Sequence, residues 1–154
     1  MWYLNPIKPI NQTARKGAGD RQNQLTKPTG ALGQMEAVVI ELAGMQGKVC
    51  PTAKQLYICT FAGDHGIANA GVSAYPQAVT RQMINNFATG GACISVMARH
   101  YGAISKVIDC GSVGEPYAVD GVEQFHIAPQ TQNLLDETVM TAEQCQKALE
   151  IGKY

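Results

Sequence analysis

The chain has no surplus of either charge. Twelve basic and twelve acidic residues leave a formal net charge of zero, whereas a grip on nucleic acid or an acidic membrane needs a basic excess. Neither partner is expected. No apolar run comes near the roughly 20 residues a membrane span requires. The start, Met1-Trp2-Tyr3-Leu4-Asn5-Pro6, lacks the charged opening and apolar stretch of a secretory signal. The five cysteines, Cys50, Cys59, Cys93, Cys110 and Cys145, are scattered and never spaced Cys-x-x-Cys. That argues against a zinc or thiol-redox site and for buried free thiols in a reducing cytosol. His65, His100 and His126 show no metal-ligand spacing, so no metal is expected. There is no internal repeat and no low-complexity tract.

What is present suits one globular domain: 154 residues, of which 45% are hydrophobic. Residues 1–24, rich in Asn, Gln, Gly and Pro, read as an extended N-terminal arm. A helix is expected from Thr29 or Gly30, with Leu32, Met35, Val39, Leu42 and Ala43 on one apolar face and Gly44 and Gly47 ending it. The apolar run Leu56–Phe61 reads as a strand covered on both faces. Val79–Tyr101 reads as one helix or two, divided at Gly90-Gly91. Its expected buried stripe is Val79, Met83, Phe87, Ile94, Met97 and Ala98. Ser105–Cys110 is a second strand, and strand–helix–strand over this length is a parallel βαβ unit. Glu123–Ile127 is a shorter third strand. Thr141-x-x-Gln144 is a capping box, so a helix starts there with Ala142, Cys145 and Leu149 inward.

Ligands of open α/β sheets bind outside the carboxyl ends of strands, and here the first strand ends in Gly63-Asp64-His65-Gly66. Glycines permit close approach of a ligand or of another backbone. Asp64 can accept hydrogen bonds and His65 can exchange a proton near neutral pH; equally, both can hold the turn through bonds to the backbone. In Ser73-Ala74-Tyr75-Pro76-Gln77, Tyr75 offers an aromatic wall with a polar tip and Gln77 can donate and accept. The same residues also suit a plain helix start. Met83 and Asn86 follow at helical spacing; Met83 serves equally as pocket wall or core. Leu25–Gly33, with Lys27 ahead of a helix, resembles an anion site but lacks P-loop spacing, and a structural or subunit-contact role is favoured. Gly111–Gly114, after the second strand, has too few glycines in register for a dinucleotide fingerprint but can still border the mouth of the site.

Leu25-Thr26-Lys27-Pro28-Thr29-Gly30-Ala31-Leu32-Gly33, Ala62–Gly66, Gly71–Gln77 and Gly90-Gly91-Ala92, in that order, resemble the nicotinate-nucleotide–dimethylbenzimidazole phosphoribosyltransferases. The resemblance implies an α/β fold: a Rossmann-like parallel sheet with flanking helices, plus an N-terminal helical segment. Residues 25–154 would be the N-terminal part of the transferase domain. It implies a cytoplasmic homodimer without cofactor, acting on small molecules. The reaction moves a 5-phosphoribosyl group from nicotinate mononucleotide to 5,6-dimethylbenzimidazole, a step in making the lower ligand of cobalamin. Asp64, His65, Tyr75, Gln77, Met83 and Asn86 would bind substrate. Family members are about twice this length, and their phosphate-holding Gly-Glu-Met-Gly loop and glutamate base have no counterpart before Tyr154. The chain alone is therefore expected to be weak or inactive. The alternatives are a non-catalytic azole- or nucleotide-binding module and an inactive remnant.

Overall fold

The computed structural model describes residues 2–115, 117–136 and 138–153. The chain forms two compact units, Met1–Lys54 and Gln55–Tyr154, so the division falls well after the expected end of the arm at residue 24.

The first unit is built on two packed helices, α1 (Gln12–Gln24) and α2 (Gln34–Gln46). Residues 12–24 are therefore helical and not extended. Their polar sequence has no stripe of large apolar residues to announce a helix; its buried positions are the small Ala14 and Ala18, and those of α2 are Ala43 and Gly44. Asn11 caps α1 by accepting the Ala14 N–H at 2.9 Å. The α2 helix starts later than expected because Gly33, at φ 57°, holds its N-cap out of helical geometry. Leu32 and Met35, expected on its buried face, stay 57% and 61% exposed. Lys27 donates to Glu36 Oε1 at 2.7 Å, which holds the Glu36 carboxyl below its ordinary pKa. The lysine is thus engaged in a local tie within this unit.

The second unit is a three-stranded parallel sheet in the order β1 (Tyr57–Ala62), β2 (Ile104–Asp109), β3 (Val122–Gln124). Each of the first two strands lies within one residue of its expected place. The crossover from β1 to β2 is made by α3 (Ala78–Ala88) and α4 (Cys93–Tyr101), which pack on β2 and part at Gly90-Gly91. Ile84, Ala92, Ala98, Val107, Ile108 and Ile151 form the buried core. The buried face of α3 turns on Ile84 rather than on the neighbouring Met83, and Met97 is 46% exposed. β3 is shorter than expected: it ends at Gln124, and His126 then takes a φ of 40°. β1 is half-buried only at alternate residues. Tyr57 and Phe61 remain 56% and 53% exposed, so this edge strand is not covered on both faces.

The capping box forms at α5 (Ala142–Gly152): Thr141 Oγ1 accepts the Gln144 N–H, and Gln144 Oε1 accepts the Thr141 N–H. The inward face of α5 is Gln144, Ala148 and Ile151, not Ala142, Cys145 and Leu149, which are exposed. All five cysteines are free, but Cys50, Cys59, Cys93 and Cys145 are exposed and Cys110 is half-buried. Cys59, for example, falls on the outward alternation of β1.

Candidate functional site

Just past the end of β1, the Asp64 N–H donates to Gly111 O at 2.9 Å, tying it to the segment after β2. Asp64 is only 5% exposed. Its Oδ1 accepts the Thr80 hydroxyl at 2.6 Å and its Oδ2 accepts the Val113 N–H at 2.8 Å. Both carboxylate oxygens are therefore bound to protein groups, one on α3 and one in the loop after β2. His65 pairs with Thr131 in a parallel bridge, and its Nδ1 lies 3.5 Å from Thr131 Oγ1. Gly66 donates to Thr131 O at 3.0 Å. A Cβ on Gly66 would fall 2.6 Å from that same oxygen, so only glycine fits where the two segments meet.

Beyond this turn a cleft of about 610 Å³ opens between the end of β1 and α3. It is lined by the strand end from Thr60 to His65, by the short helical turn Gly66–Ala70 through Ile67 and Ala68, by Tyr75, Pro76 and Gln77, and by Thr80, Met83, Ile84 and Phe87 of α3. Ser73 shapes the entrance: its Oγ accepts the Tyr75 N–H and donates to Tyr75 O. Tyr75 borders the cleft and is 71% exposed. The Gln77 amide donates to His65 O at 3.1 Å and to Gln130 Oε1 at 2.7 Å. Of the six residues singled out in the sequence, the fold brings Asp64, His65, Tyr75, Gln77 and Met83 to this one cleft. Asn86 is not among its walls. The Asn86 carbonyl accepts from Gly91, and a Cβ on Gly91 would clash with Asn86 Oδ1, so Asn86, in the last turn of α3, packs on the turn into α4.

A second pocket of about 150 Å³ shares Gly63, Asp64 and His65 with the cleft and continues to Cys110, Ile127, Thr131, Met140 and Ala148. Burial, helped by the neighbouring Asp109 carboxylate, pushes the Cys110 thiol pKa up, which keeps the sulfur protonated and poorly nucleophilic. Among the described residues, no group of three or more His, Cys, Asp or Glu side chains is arranged to hold a metal ion, and no helix is long and apolar enough to cross a membrane.

Read from the sequence, Thr80, Arg81, Asp109 and Tyr117 have no role, and Ser112 enters only as part of Gly111–Gly114. Asp109 is fully buried and accepts hydrogen bonds from the Gly111 N–H, the Ser112 hydroxyl and the Tyr117 hydroxyl. The signals were faint. Thr80 stands one helical turn after Gln77, and the polar run Asp109-Cys110-Gly111-Ser112 marks the end of β2.

A family profile described as phosphoribosyltransferase matches residues 7–154. The chain is 49% identical over 152 residues to the nicotinate-nucleotide–dimethylbenzimidazole phosphoribosyltransferase of Pseudomonas fluorescens strain SBW25, covering 99% of this chain and 43% of that relative. The enzyme of that name from Azotobacter vinelandii is 47% identical over 154 residues, covering 99% of this chain and 44% of the relative. Among solved structures, the nicotinate-nucleotide–dimethylbenzimidazole phosphoribosyltransferase of Thermus thermophilus superposes with a TM-score of 0.84 at 40% identity, over 94% of this chain and 44% of that one. The chain thus spans less than half the length of the relatives it matches.

Proposed function

Because this chain belongs to the phosphoribosyltransferase family whose profile covers it from residue 7 to residue 154, we propose that its cleft is the azole-binding part of a transferase making α-ribazole 5′-phosphate. The donor is nicotinate mononucleotide and the acceptor 5,6-dimethylbenzimidazole. The bond from the ribose anomeric carbon to the pyridinium nitrogen breaks, a new bond forms from that carbon to an azole nitrogen, and nicotinate leaves. The leaving nitrogen carries a positive charge in the donor, so neutral departure is easy. What the protein must supply is alignment of the azole nitrogen with the anomeric carbon and removal of the proton from the other ring nitrogen.

The observation that carries this reading is the cleft itself. Its volume of about 610 Å³ lies within the range of small-molecule sites, and it opens past the carboxyl end of a parallel strand. Tyr75 and Met83 supply a flat wall and an adaptable one for a bicyclic azole. Gln77 and His65 border the same space, and Asp64 holds the turn that carries them. Asn86, which the family resemblance placed among the substrate contacts, acts in this reading through the α3–α4 turn. The family's glutamate base and phosphate-holding loop have no counterpart in these residues, so we expect the chain alone to turn over slowly or not at all. Homodimer formation and a cytoplasmic setting complete the proposal; five free cysteines suit a reducing compartment.

Calorimetric titration of the chain with 5,6-dimethylbenzimidazole tests the reading. We expect saturable binding, weakened about tenfold by Tyr75→Ala, the loss of one aromatic contact. Addition of a polypeptide carrying the rest of a relative's length should then produce turnover. Binding that persists without turnover in a folded mixture would favour the non-catalytic module. The exposed row Tyr57 and Phe61 favours a third outcome, an associating remnant that binds nothing.

A further inference from the structure

Arg81 lies one residue beyond Thr80 on α3 and does not line the cleft. Its guanidinium is enclosed by the loop after β2. Nε donates to Ser112 Oγ at 3.2 Å, Nη2 to Ser112 O at 3.2 Å and Nη1 to Glu115 O at 2.6 Å. The Tyr117 ring stacks against it, 4.4 Å from Cζ to the ring centroid. Gly114, at φ 120°, passes so close that a Cβ there would sit 2.7 Å from Nη1. The Ser112 and Tyr117 hydroxyls both turn onward to Asp109 Oδ2, at 2.9 and 3.2 Å. A fully buried carboxylate thus has its nearby cation relayed through one serine hydroxyl, and no shorter or single-donor side chain reproduces that fork.

The same loop makes the other brace of the cleft. The Val113 N–H, one residue after Ser112, donates to Asp64 Oδ2, while Thr80 donates to Asp64 Oδ1. We propose that Arg81 is a positioning residue: by gathering residues 112–115 around its guanidinium it presents the Val113 N–H to Asp64, and so sets the spacing between α3 and the end of β1 across the cleft. The ligand consequence rests on the azole reading given above; the mechanical consequence does not.

The test follows the Val113 amide by hydrogen exchange and the Met83 methyl resonance by NMR in the 154-residue chain, beside titration with 5,6-dimethylbenzimidazole. In Arg81→Met we expect Val113 exchange to quicken about tenfold or more, as loss of a charge-assisted brace implies, with the Met83 methyl shifted and azole affinity reduced. Amides of the β2 interior, such as Val107, should keep wild-type exchange. Arg81→Lys, which retains charge but not the fork, should recover little. Should Arg81→Met fail to fold, Tyr117→Leu, which removes the ring beneath the guanidinium, should give the same pattern at smaller size. Unchanged Val113 exchange overturns the proposal. So does a uniform quickening that includes Val107, which marks general destabilisation only, and so does lost Val113 protection with Met83 and azole affinity untouched. A wild-type chain that ignores the azole defeats the functional reading, and the Val113 and Met83 signals still decide the role of Arg81.

Discussion

Asp64 shows how a carboxylate at the mouth of a strand can be committed wholly to the protein. With one oxygen bound to Thr80 and the other to Val113, it is a clamp whose removal frees two elements at once. Asp64→Asn keeps the shape, with Oδ1 accepting the Val113 N–H and the amide N–H donating to the Thr80 hydroxyl, but strips the charge from both bonds. We expect a loss of about 2–3 kcal/mol, read as a lower urea midpoint with an unchanged slope. Tyr117 carries a pH dependence. Burial raises its phenol pKa, with the Asp109 carboxylate adding to the shift. A raised folded pKa means stability that is fully present below the unfolded value, about 10, and lost as pH climbs through the folded one. Urea midpoints should fall above about pH 10, and Tyr117→Phe should flatten that alkaline limb; an equal fall in the variant would assign it to other groups.

Elements were legible where a local rule had no competitor. The Thr141 capping box needs only two side chains three residues apart, and α5 begins where it says. Thr141→Ala should cost about 1 kcal/mol, seen as a drop in melting temperature with the cleft unaltered by azole titration. The apolar faces were less legible. On α5 the expected residues stand one or two positions from the nearest inward ones, because Ala, Cys and Leu all count as apolar whether or not anything covers them. On α3, Met83 and Ile84 are adjacent and both apolar, and only the packing on β2 decides that Ile84 is the buried one. α1 was missed because Gln12–Gln24 buries alanine rather than a large apolar stripe. The site divides in the same way. Gly63–Gly66 and Tyr75–Gln77 carry their turn chemistry in the sequence itself, and the Asp109 bonds to Gly111 and Ser112 stay within the same polar turn, whereas Arg81 matters through contacts with Ser112 and Glu115, 31 and 34 residues away, which no local pattern announces.

At the scale of the whole molecule, the two units differ in how far apart in sequence their contacts lie. The α1–α2 pair joins sequence neighbours across the connection 25–33. The sheet does not: Tyr57 aligns with Ile104, and Val107 with Val122, so β1 must wait for the entire α3–α4 crossover before it finds its partner. Closing a loop of that length costs entropy before any contact repays it, and parallel pairing is slow for that reason. In pulse-labelled refolding, the amides of α2 should therefore gain protection before those of β1. During synthesis on a ribosome, the exposed edge that carries Tyr57 and Phe61 would be made well before the strand that pairs with it, and this is the interval in which a chaperone would matter most to the protein.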